Sequence, residues 1–553
     1  MSNSCNEVAT TEAVAIPATR ASSARAVLLI IVIASLCRLA VAAAVGLSVD
    51  ESYTVAIGRQ LALSYFDHPP LHVWLVGGWA KLIGNEDPLL LRLPFVVLFA
   101  GSTWLMYRLT AFAYGERAGL WAVVAFNLAP LFTLGIASWV LPDGPLVFFC
   151  LLAVRILTRA LLVQPSRRSE LAWWLAAGAA AGLALLSKYL AVFLLLGVGL
   201  FLLTSRYRYL LATPAPWLAL LVAALLFTPV LAWNAAHAWT SFAFQGGRAL
   251  PAGLDFNRFA LDLCGQFAYL LPWTALALVY ALGQALRRGS RELASWLFAC
   301  LAIGPIALFA LQPLWSVVLP HWPAIGWTFA FPLLGELLAR LERTRVRLLR
   351  WSACMSAAFL VLLFSLAISQ ARTGWIERFA HALAANDPTV DVLDWRGLKG
   401  ALAKRGLLQP GIVLATVSWI DAGKVDYALA GDVPVLCLSQ NCRQFAFLRD
   451  PCAFEGRNAI IVANARRVEW RRLAEPYFRR VEPLADLALM RAGKPAIMLK
   501  IARGQSLRCE SKDSSKGRFF TARSNSTRVV NNGAMRSNGH ALGPSDRAFA
   551  GSG

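Results

Sequence analysis

The sequence predicts a polytopic α-helical membrane protein that carries a small α/β domain in its C-terminal part. Of its 553 residues, 58% are hydrophobic and only 15% are charged, and the mean hydropathy is +0.56. This composition is typical of chains whose surroundings are mostly lipid. Apolar stretches long enough to cross a hydrocarbon core of about 30 Å also recur along most of the chain.

Residues 1–25 are predicted to form a cytoplasmic leader. They are rich in Ala, Ser and Thr and carry Arg20 and Arg25 ahead of a long apolar span. A cleaved signal peptide is disfavoured, because the apolar run is too long and no convincing small-residue cleavage site ends it. The first span is therefore expected to be retained.

Residues 26–369 are predicted to form the transmembrane, catalytic part of the chain, with about eleven spans by the twenty-residue criterion. The predicted spans lie near residues 27–47, 89–111, 118–138, 145–163, 171–187, 190–204, 215–232, 264–284, 293–311, 323–340 and 350–369. The fifth and sixth are short, which suggests tilting, kinking or a re-entrant path. An odd number of spans puts the two termini on opposite sides of the membrane.

Orientation follows from the basic residues, because cytoplasmic loops retain Lys and Arg during insertion. The basic clusters fall on one side: Arg108 and Arg117, Arg167-Arg168, Arg206 and Arg208, Arg287-Arg288 with Arg291, and Arg340 through Arg350. The opposite, external face then carries the functional candidates Asp50, Asp67, Asp143, Lys188, His237 and His321. The same pattern explains the net charge of +22, and no basic, aromatic-interleaved stripe indicates nucleic acid as a partner.

Residues 370–503 are predicted to form an external α/β domain. Short apolar runs at 411–415, 433–438 and 459–463 alternate with polar, helix-compatible stretches, which is typical of a small sheet domain. Residues 504–553 are rich in Ser, Asn, Gly and Arg and are predicted to be a disordered basic tail.

Three cysteines of this domain are disulfide candidates. Cys437, Cys442 and Cys452 lie where a disulfide persists, and their spacing allows Cys442 with Cys452 or Cys437 with Cys442. Their C-x4-C-x9-C spacing lacks the paired short knuckles of zinc modules, so a zinc site is disfavoured.

The most informative residues follow the first span. Asp50-Glu51 comes directly after it, and Tyr65-Phe66-Asp67-His68-Pro69-Pro70 comes fifteen residues later, before the next span begins. A plain connecting loop needs none of these side chains. Carboxylates and an imidazole beside water at the bilayer surface therefore suggest chemistry performed there.

Five motifs carry a resemblance to a known family: Asp50-Glu51 with Tyr53, residues 63–70, Arg92-Leu93-Pro94, residues 141–146, and His321-Trp322-Pro323. Together they resemble the bacterial branch of glycosyltransferase family 39, which is related to protein O-mannosyltransferases and, more distantly, to lipid A aminoarabinose transferases. The likeness covers roughly residues 27–500. It implies a GT-C membrane fold with chemistry on the external face. The basic loops and the odd number of spans place the N-terminus in the cytoplasm and the C-terminus in the periplasm of a bacterial inner membrane. The likeness also implies a polyprenyl-phosphate sugar donor and an acceptor that is lipid A or lipopolysaccharide, another glycolipid, or a protein.

The predicted catalytic residues are Asp50, Glu51 and Asp143. Such a transferase must deprotonate an acceptor hydroxyl and neutralise the departing phosphate. The family motif places the general base at Asp50, and the alternative is that Asp50 caps the helix that begins near Glu51. Glu51 is either an orienting hydrogen-bond partner or a first-turn helix acid. Asp143 follows Pro142 and is a catalytic residue, an N-cap, or both.

The predicted substrate-binding residues are Tyr65, Asp67, His68, Arg92, Lys188, Arg248 and His321. Lys188 and Arg248 are candidates to bind the lipid phosphate, with snorkelling at the membrane edge as the alternative. The resemblance also suggests a divalent cation at Asp67, with His237 as a further ligand. The alternative for the Tyr65–Pro70 loop is a packed aromatic-proline turn, which Pro69-Pro70 stiffens.

Two other features bear on function. Arg38 lies in mid-span, where a charge costs about 2.5–3.5 kcal/mol, so it is expected to face a partner inside the bundle. A transporter would require an internal repeat with matching broken helices, and the two halves of the chain do not match by eye. A non-catalytic receptor would leave the acids of the first loop without a role.

Overall fold

A computed structural model describes residues 6–162, 167–250, 253–379, 387–439, 441–466 and 469–509. The chain divides into two compact units. The helical unit comprises Met1–Ala44, Leu61–Ala236 and Gln245–Ile368. The sheet unit comprises Val45–Gln60, His237–Phe244 and Ser369–Gly553.

The α-helices of the described residues are numbered along the chain. They are α1 (Asn6–Ala44), α2 (Val49–Gly58), α3 (Leu71–Ile83), α4 (Pro88–Tyr114), α5 (Glu116–Asn127), α6 (Ile136–Ser138), α7 (Asp143–Leu162), α8 (Arg167–Ser187), α9 (Val192–Thr204), α10 (Pro214–Ala236), α11 (Thr240–Gly247), α12 (Phe256–Leu270), α13 (Pro272–Arg288), α14 (Leu293–Leu311), α15 (Ala324–Thr373), α16 (Gly397–Lys404), α17 (Trp419–Ala428), α18 (Phe445–Leu448) and α19 (Trp470–Ala474). The strands are β1 (Val413–Thr416), β2 (Val435–Cys437), β3 (Ala459–Asn464), β4 (Phe478–Pro483), β5 (Leu487–Arg491) and β6 (Lys494–Leu507).

The helical unit confirms a multi-span membrane protein. Within the described residues, seven helices are long and apolar enough to cross a membrane, or up to ten if each bent pair is one span. Helix α15 has 50 residues, so at 1.5 Å per residue it is about 75 Å long, more than twice the hydrocarbon thickness. Its backbone is non-helical at Arg345. The sequence predicted two spans here, at 323–340 and 350–369, on either side of Arg345.

The predicted span at 264–284 is wrong as a single helix. Helix α12 ends at Leu270, and the helix that follows from Pro272 is bent away from it by 97°. Leu271 has φ +67°, and Pro272 occupies the first turn of α13. Proline has no backbone N–H and disfavours a helical conformation in the residue before it. The chain therefore breaks here, although both sides are apolar.

Arg38 has the interior partners that its sequence position required. Its Nε donates to the carbonyl of Thr133 at 3.1 Å, and its Nη2 donates to Oδ1 of Asn127 at 2.8 Å. The guanidinium carbon lies 4.6 Å from the ring centroid of Phe99. Asn127 ends α5 and Thr133 lies in a π-helical turn over Leu131–Gly135. The buried guanidinium is thus hydrogen-bonded to one backbone carbonyl and one side-chain amide inside the bundle.

The sheet unit has the predicted α/β character. Its strand order is β2-β1-β3-β6-β4, and β5 pairs with β6. Strand β1 pairs in parallel with β2 and β3, and the remaining pairs are antiparallel. The three apolar runs predicted as strands become β1, β2 and β3, which are almost wholly buried.

Two predicted boundaries need correction. Strand β6 continues to Leu507, and Gly504 pairs with Ala459 of β3, so the sheet extends past residue 503. A Cβ at Gly504 would lie 2.6 Å from the ring of Phe478, so this position needs glycine. The predicted leader is helical from Asn6 onward as part of α1. Residues 1–5 of the leader and 510–553 of the tail lie outside the described residues.

The sheet unit contains two disulfides. Cys437 is bonded to Cys442, which confirms one of the two predicted pairings. Cys452 is bonded to Cys509, not to Cys442, so the other predicted pairing is wrong. Cys509 was not predicted as a disulfide partner because it lies in the stretch 504–553, which was predicted to be disordered.

Candidate active site

Helix α2 carries the acidic pair of the first loop and has its own cap. Ser48 is the N-cap, and its hydroxyl accepts a hydrogen bond from the N–H of Glu51 at 3.3 Å. Oε2 of Glu51 accepts in return from the N–H of Ser48 at 2.8 Å, which completes a capping box. The proposed capping role of Asp50 is therefore wrong. Asp50 is half-buried in the first turn, and Glu51 is fully buried as the first-turn acid.

Within the sheet unit, α2 packs on α17. The ring of Tyr53 lies 5.2 Å from that of Trp419, and the Tyr53 hydroxyl accepts from the N–H of Gln444 at 3.0 Å. A Cβ at Gly423 would lie 2.8 Å from Cα of Tyr53, so the two helix backbones are close together. Residues 45–60 group with the sheet unit, whereas the sequence places them within the predicted transmembrane part at 26–369. Contacts with residues nearly 400 positions later leave no local signal in the sequence.

In the helical unit, Asp143 and Lys188 form a buried ion pair. Nζ of Lys188 lies 3.0 Å from Oδ1 and 2.9 Å from Oδ2 of Asp143. The two side chains are only 9% and 8% exposed, so the interpretation of Lys188 as an interfacial, snorkelling lysine is wrong. The carbonyl of Pro142 accepts from the N–H of Leu146, which puts Pro142 rather than Asp143 at the cap position. Both oxygens of Asp143 are instead bonded to Lys188.

Two histidines, His72 and His321, interact electrostatically with this pair. Burial lowers the pKa of His72 in α3 to about 3, with Asp143 opposing the shift and Lys188 adding to it. Burial also lowers the pKa of His321, and Lys188 contributes in the same direction. Both imidazoles are therefore neutral at pH 7 and available as hydrogen-bond partners. His72 was not predicted, although it follows Pro70 by two residues and so extends the first-loop motif.

Arg248 contacts Trp322, the residue that follows His321. Its guanidinium carbon lies 4.5 Å from the ring centroid of Trp322, a cation–π contact. Its charge also contributes to the lowered pKa of His321. The predicted residues Asp143, Lys188, Arg248 and His321 are thus linked by electrostatic interactions, and with His72 we call them the ion-pair cluster.

The Tyr65–Pro70 loop is packed, as the structural alternative predicted. Tyr65 is 1% exposed, and its hydroxyl accepts from the N–H of Ala62 at 3.1 Å. Burial raises the pKa of Tyr65 to about 12. The carbonyl of Asp67 accepts from Nε2 of Gln245 at 2.5 Å. His68 lies 5.8 Å from His72, ring to ring, so the loop reaches the ion-pair cluster through its histidine.

Arg92 has a structural contact. It is fully buried in α4, and its Nη1 donates to the carbonyl of Ala42, near the end of α1, at 2.9 Å. The last carbonyls of a helix have no helical donor, so this bond stabilises the end of α1. A substrate-binding role for Arg92 stays a prediction.

The predicted metal ligands do not form a recognisable metal site. Across the residues that the structure describes, no three His, Cys, Asp or Glu side chains are placed to hold an ion together. The ring of His237 instead lies 5.3 Å from that of Phe447 in the sheet unit. The side chains that the structure describes around Asp67 and His237 therefore do not fit the predicted metal ion.

Comparisons with known proteins agree with the predicted resemblance. Residues 67–233 match the family model described as dolichyl-phosphate-mannose-protein mannosyltransferase. The chain is 24% identical over 276 residues to the lipid A galacturonosyltransferase RgtD of Rhizobium johnstonii. That match covers 50% of this chain and spans 57% of the length of the relative.

The fold is shared with a solved structure. ArnT from Cupriavidus metallidurans in the apo state matches with a TM-score of 0.60 and 16% identity, over 86% of this chain and 97% of ArnT. The same protein bound to undecaprenyl phosphate matches with a TM-score of 0.58 and 17% identity, with the same coverage. The predicted GT-C membrane fold with a small sheet domain is thereby confirmed.

Proposed function

We propose that this chain is a membrane glycosyltransferase that moves a sugar from a polyprenyl-phosphate donor to an acceptor on the external face of the inner membrane. One observation carries the proposal. The buried Asp143–Lys188 pair, linked to Arg248 through His321, lies in a fold whose solved relative ArnT has a structure bound to undecaprenyl phosphate. Two cations of this kind suit the phosphate of such a donor.

In the proposed reaction, the bond between the sugar C1 and the phosphate oxygen breaks, and a bond from the acceptor oxygen to C1 forms. The polyprenyl phosphate leaves with the electron pair, and Lys188 and Arg248 stabilise its growing negative charge. Asp143 holds the ammonium of Lys188 in place through both carboxylate oxygens. The acceptor hydroxyl gives its proton to Asp50, the proposed general base.

The acceptor that we propose is lipid A. RgtD is named as a lipid A galacturonosyltransferase, which supports a lipid acceptor. The matching family model is described as a protein mannosyltransferase, so a protein is the alternative acceptor that the experiment must distinguish from lipid A. The sugar is to be identified by the same experiment.

The experiment compares the lipid A of a deletion strain with that of its parent by mass spectrometry. We expect one sugar-sized mass to disappear on deletion, to return with the wild-type gene, and to stay absent with Asp50→Asn. Asp432→Asn is the matched control, because Asp432 is an exposed acid of the same unit, and it should restore the mass. Unchanged lipid A with altered glycoproteins would refute the acceptor, and no change in either would refute the function.

We further propose that the N-terminus is cytoplasmic and that the sheet unit lies in the periplasm. The alternation of basic loops supports this orientation, and so do the two disulfides, which suit an oxidising compartment. A reporter that is active only in an oxidising compartment should be active when fused after Cys509. Activity of a cytoplasm-only reporter at that position would contradict the orientation.

A further inference from the structure

Helix α2, which carries Asp50, is held at its beginning by one buried lysine. Lys424 of α17 is 3% exposed. Its Nζ lies 2.5 Å from the carbonyl oxygen of Leu47, 2.6 Å from that of Asp391 and 3.2 Å from that of Leu393. An ammonium has three N–H donors, so these three carbonyls can use all of them. Lys424 thus ties the residue before the α2 cap to the segment around Asp391.

Other contacts fix the remainder of α2 to α17. Gly423 allows the backbone of Tyr53 to approach closely, as described above. At the C-terminal end of α2, Arg59 forms an ion pair with the buried Asp426. The start, middle and end of α2 are therefore each held by α17. The contacts of Lys424 at Leu47 and of Gly423 at Tyr53 lie on either side of Asp50, and of the two only Lys424 brings a charge.

The same lysine affects the charges around Asp50. Burial raises the pKa of Asp391 to about 6, the positive charge of Lys424 opposes that rise, and the negative charge of Asp50 adds to it. Arg466 and Asp387 act more weakly, in the lowering and raising directions respectively. Asp391 and Asp50 thus repel each other as like charges. Among the charged groups that act on Asp391, Lys424 has the largest effect.

We propose that Lys424 is a positioning residue for sugar transfer, which fixes the first turn of α2 and so the carboxylate of Asp50, and which offsets the combined charge of Asp50 and Asp391. The proposal rests on the proposed function, in which Asp50 is the general base. It gives the C-terminal sheet unit a part in the reaction, because the lysine that orients the base comes from a helix of that unit.

The test is Lys424→Met in the full-length protein, assayed for transfer from a polyprenyl-phosphate sugar. We expect kcat to fall about 10- to 100-fold, as for a displaced catalytic group, with little change in donor KM. The acid limb of the pH–rate profile should move to higher pH, because loss of the ammonium raises the pKa of nearby carboxylates. Hydrogen exchange of the amides of residues 49–58 should become faster. The control is Lys399→Met, since Lys399 is exposed and pairs with the exposed Asp432.

A double variant separates positioning from general damage. In the Asp50→Asn background, Lys424→Met should cause no further loss of kcat, because the group it positions is already gone. Additive losses, or an unmoved pH profile, would overturn the positioning role. If Lys424→Met does not fold, Lys424→Gln keeps hydrogen-bond donors without the charge and should still shift the pH profile. Near-normal turnover by Asp50→Asn would refute the assignment of Asp50 as the general base. Normal turnover by Lys424→Met, measured beside an inactive Asp50→Asn, would refute only the positioning role of Lys424.

Discussion

Removing one partner of the Asp143–Lys188 pair should destabilise the protein far more than removing both. Asp143→Asn leaves a buried ammonium without its anion, and Lys188→Met leaves a buried carboxylate without its cation. His72 and His321 are neutral at pH 7 and cannot replace the lost charge. The double variant contains neither buried charge.

The expected magnitude follows from the geometry. At 2.9 Å, two unit charges attract by about 6 kcal/mol at an effective dielectric constant of about 20. Desolvation of two side chains that are under a tenth exposed offsets much of this. Breaking such a pair therefore costs about 3–5 kcal/mol per single variant, whereas replacing both partners is close to neutral. The coupling free energy should then be at least about 3 kcal/mol, beyond the additivity expected of distant sites.

The assay is the free energy of unfolding in mixed detergent micelles, measured for the wild type, both single variants and the double variant. The matched control is the cycle of Arg117→Met and Glu342→Gln, a pair in the same unit whose arginine is 55% exposed. Its coupling should be below about 1 kcal/mol. If the double variant loses the sum of the unfolding free energies lost by the two single variants, the buried charges of Asp143 and Lys188 are not energetically coupled, and the prediction is wrong.

Two further predictions concern the sheet unit. Burial opposes ionisation of Asp387, but hydrogen bonds from Thr389, Arg491 and Gln370 outweigh it and lower its pKa below 3.8. The ionised carboxylate therefore contributes its full stabilisation above pH 3.8, and that stabilisation is lost as the pH falls through the lowered pKa. Asp387→Asn should lower the melting temperature at pH 7. In strong acid, its melting temperature should differ little from that of the wild type. Thiol labelling of the denatured, unreduced protein should leave four cysteines unmodified, and labelling of any of them would contradict the disulfides: Cys437, Cys442, Cys452 and Cys509.

The sequence was sufficient wherever the signal was local. Long apolar runs predicted the membrane helices, and short ones at 411–415, 433–438 and 459–463 predicted strands β1, β2 and β3. Tyr65 and Arg92 lie in conspicuous motifs, and each makes a hydrogen bond with backbone, Tyr65 with Ala62 and Arg92 with Ala42. A motif indicates that a residue matters but not whether it contacts substrate or supports the fold.

Contacts between distant residues were out of reach. Nothing near Asp50 in the sequence shows that its helix packs on Trp419 and Gly423, because that pairing depends on the folded sheet unit. Asn127 and Thr133 could not be named as partners of Arg38 for the same reason. The break before Pro272 did have a local signal, and the apolar residues on both sides of it obscured that signal.

The most direct test of the central claim is single-turnover sugar transfer by purified Asp50→Asn, measured beside the wild type with a labelled polyprenyl-phosphate sugar in detergent. The amide preserves the size of the side chain and removes the base, and Ser48 still caps α2. Thermal melting should therefore be unchanged while the transfer rate falls about 10²- to 10⁴-fold. A transfer rate close to that of the wild type would contradict the assignment of Asp50 as the general base.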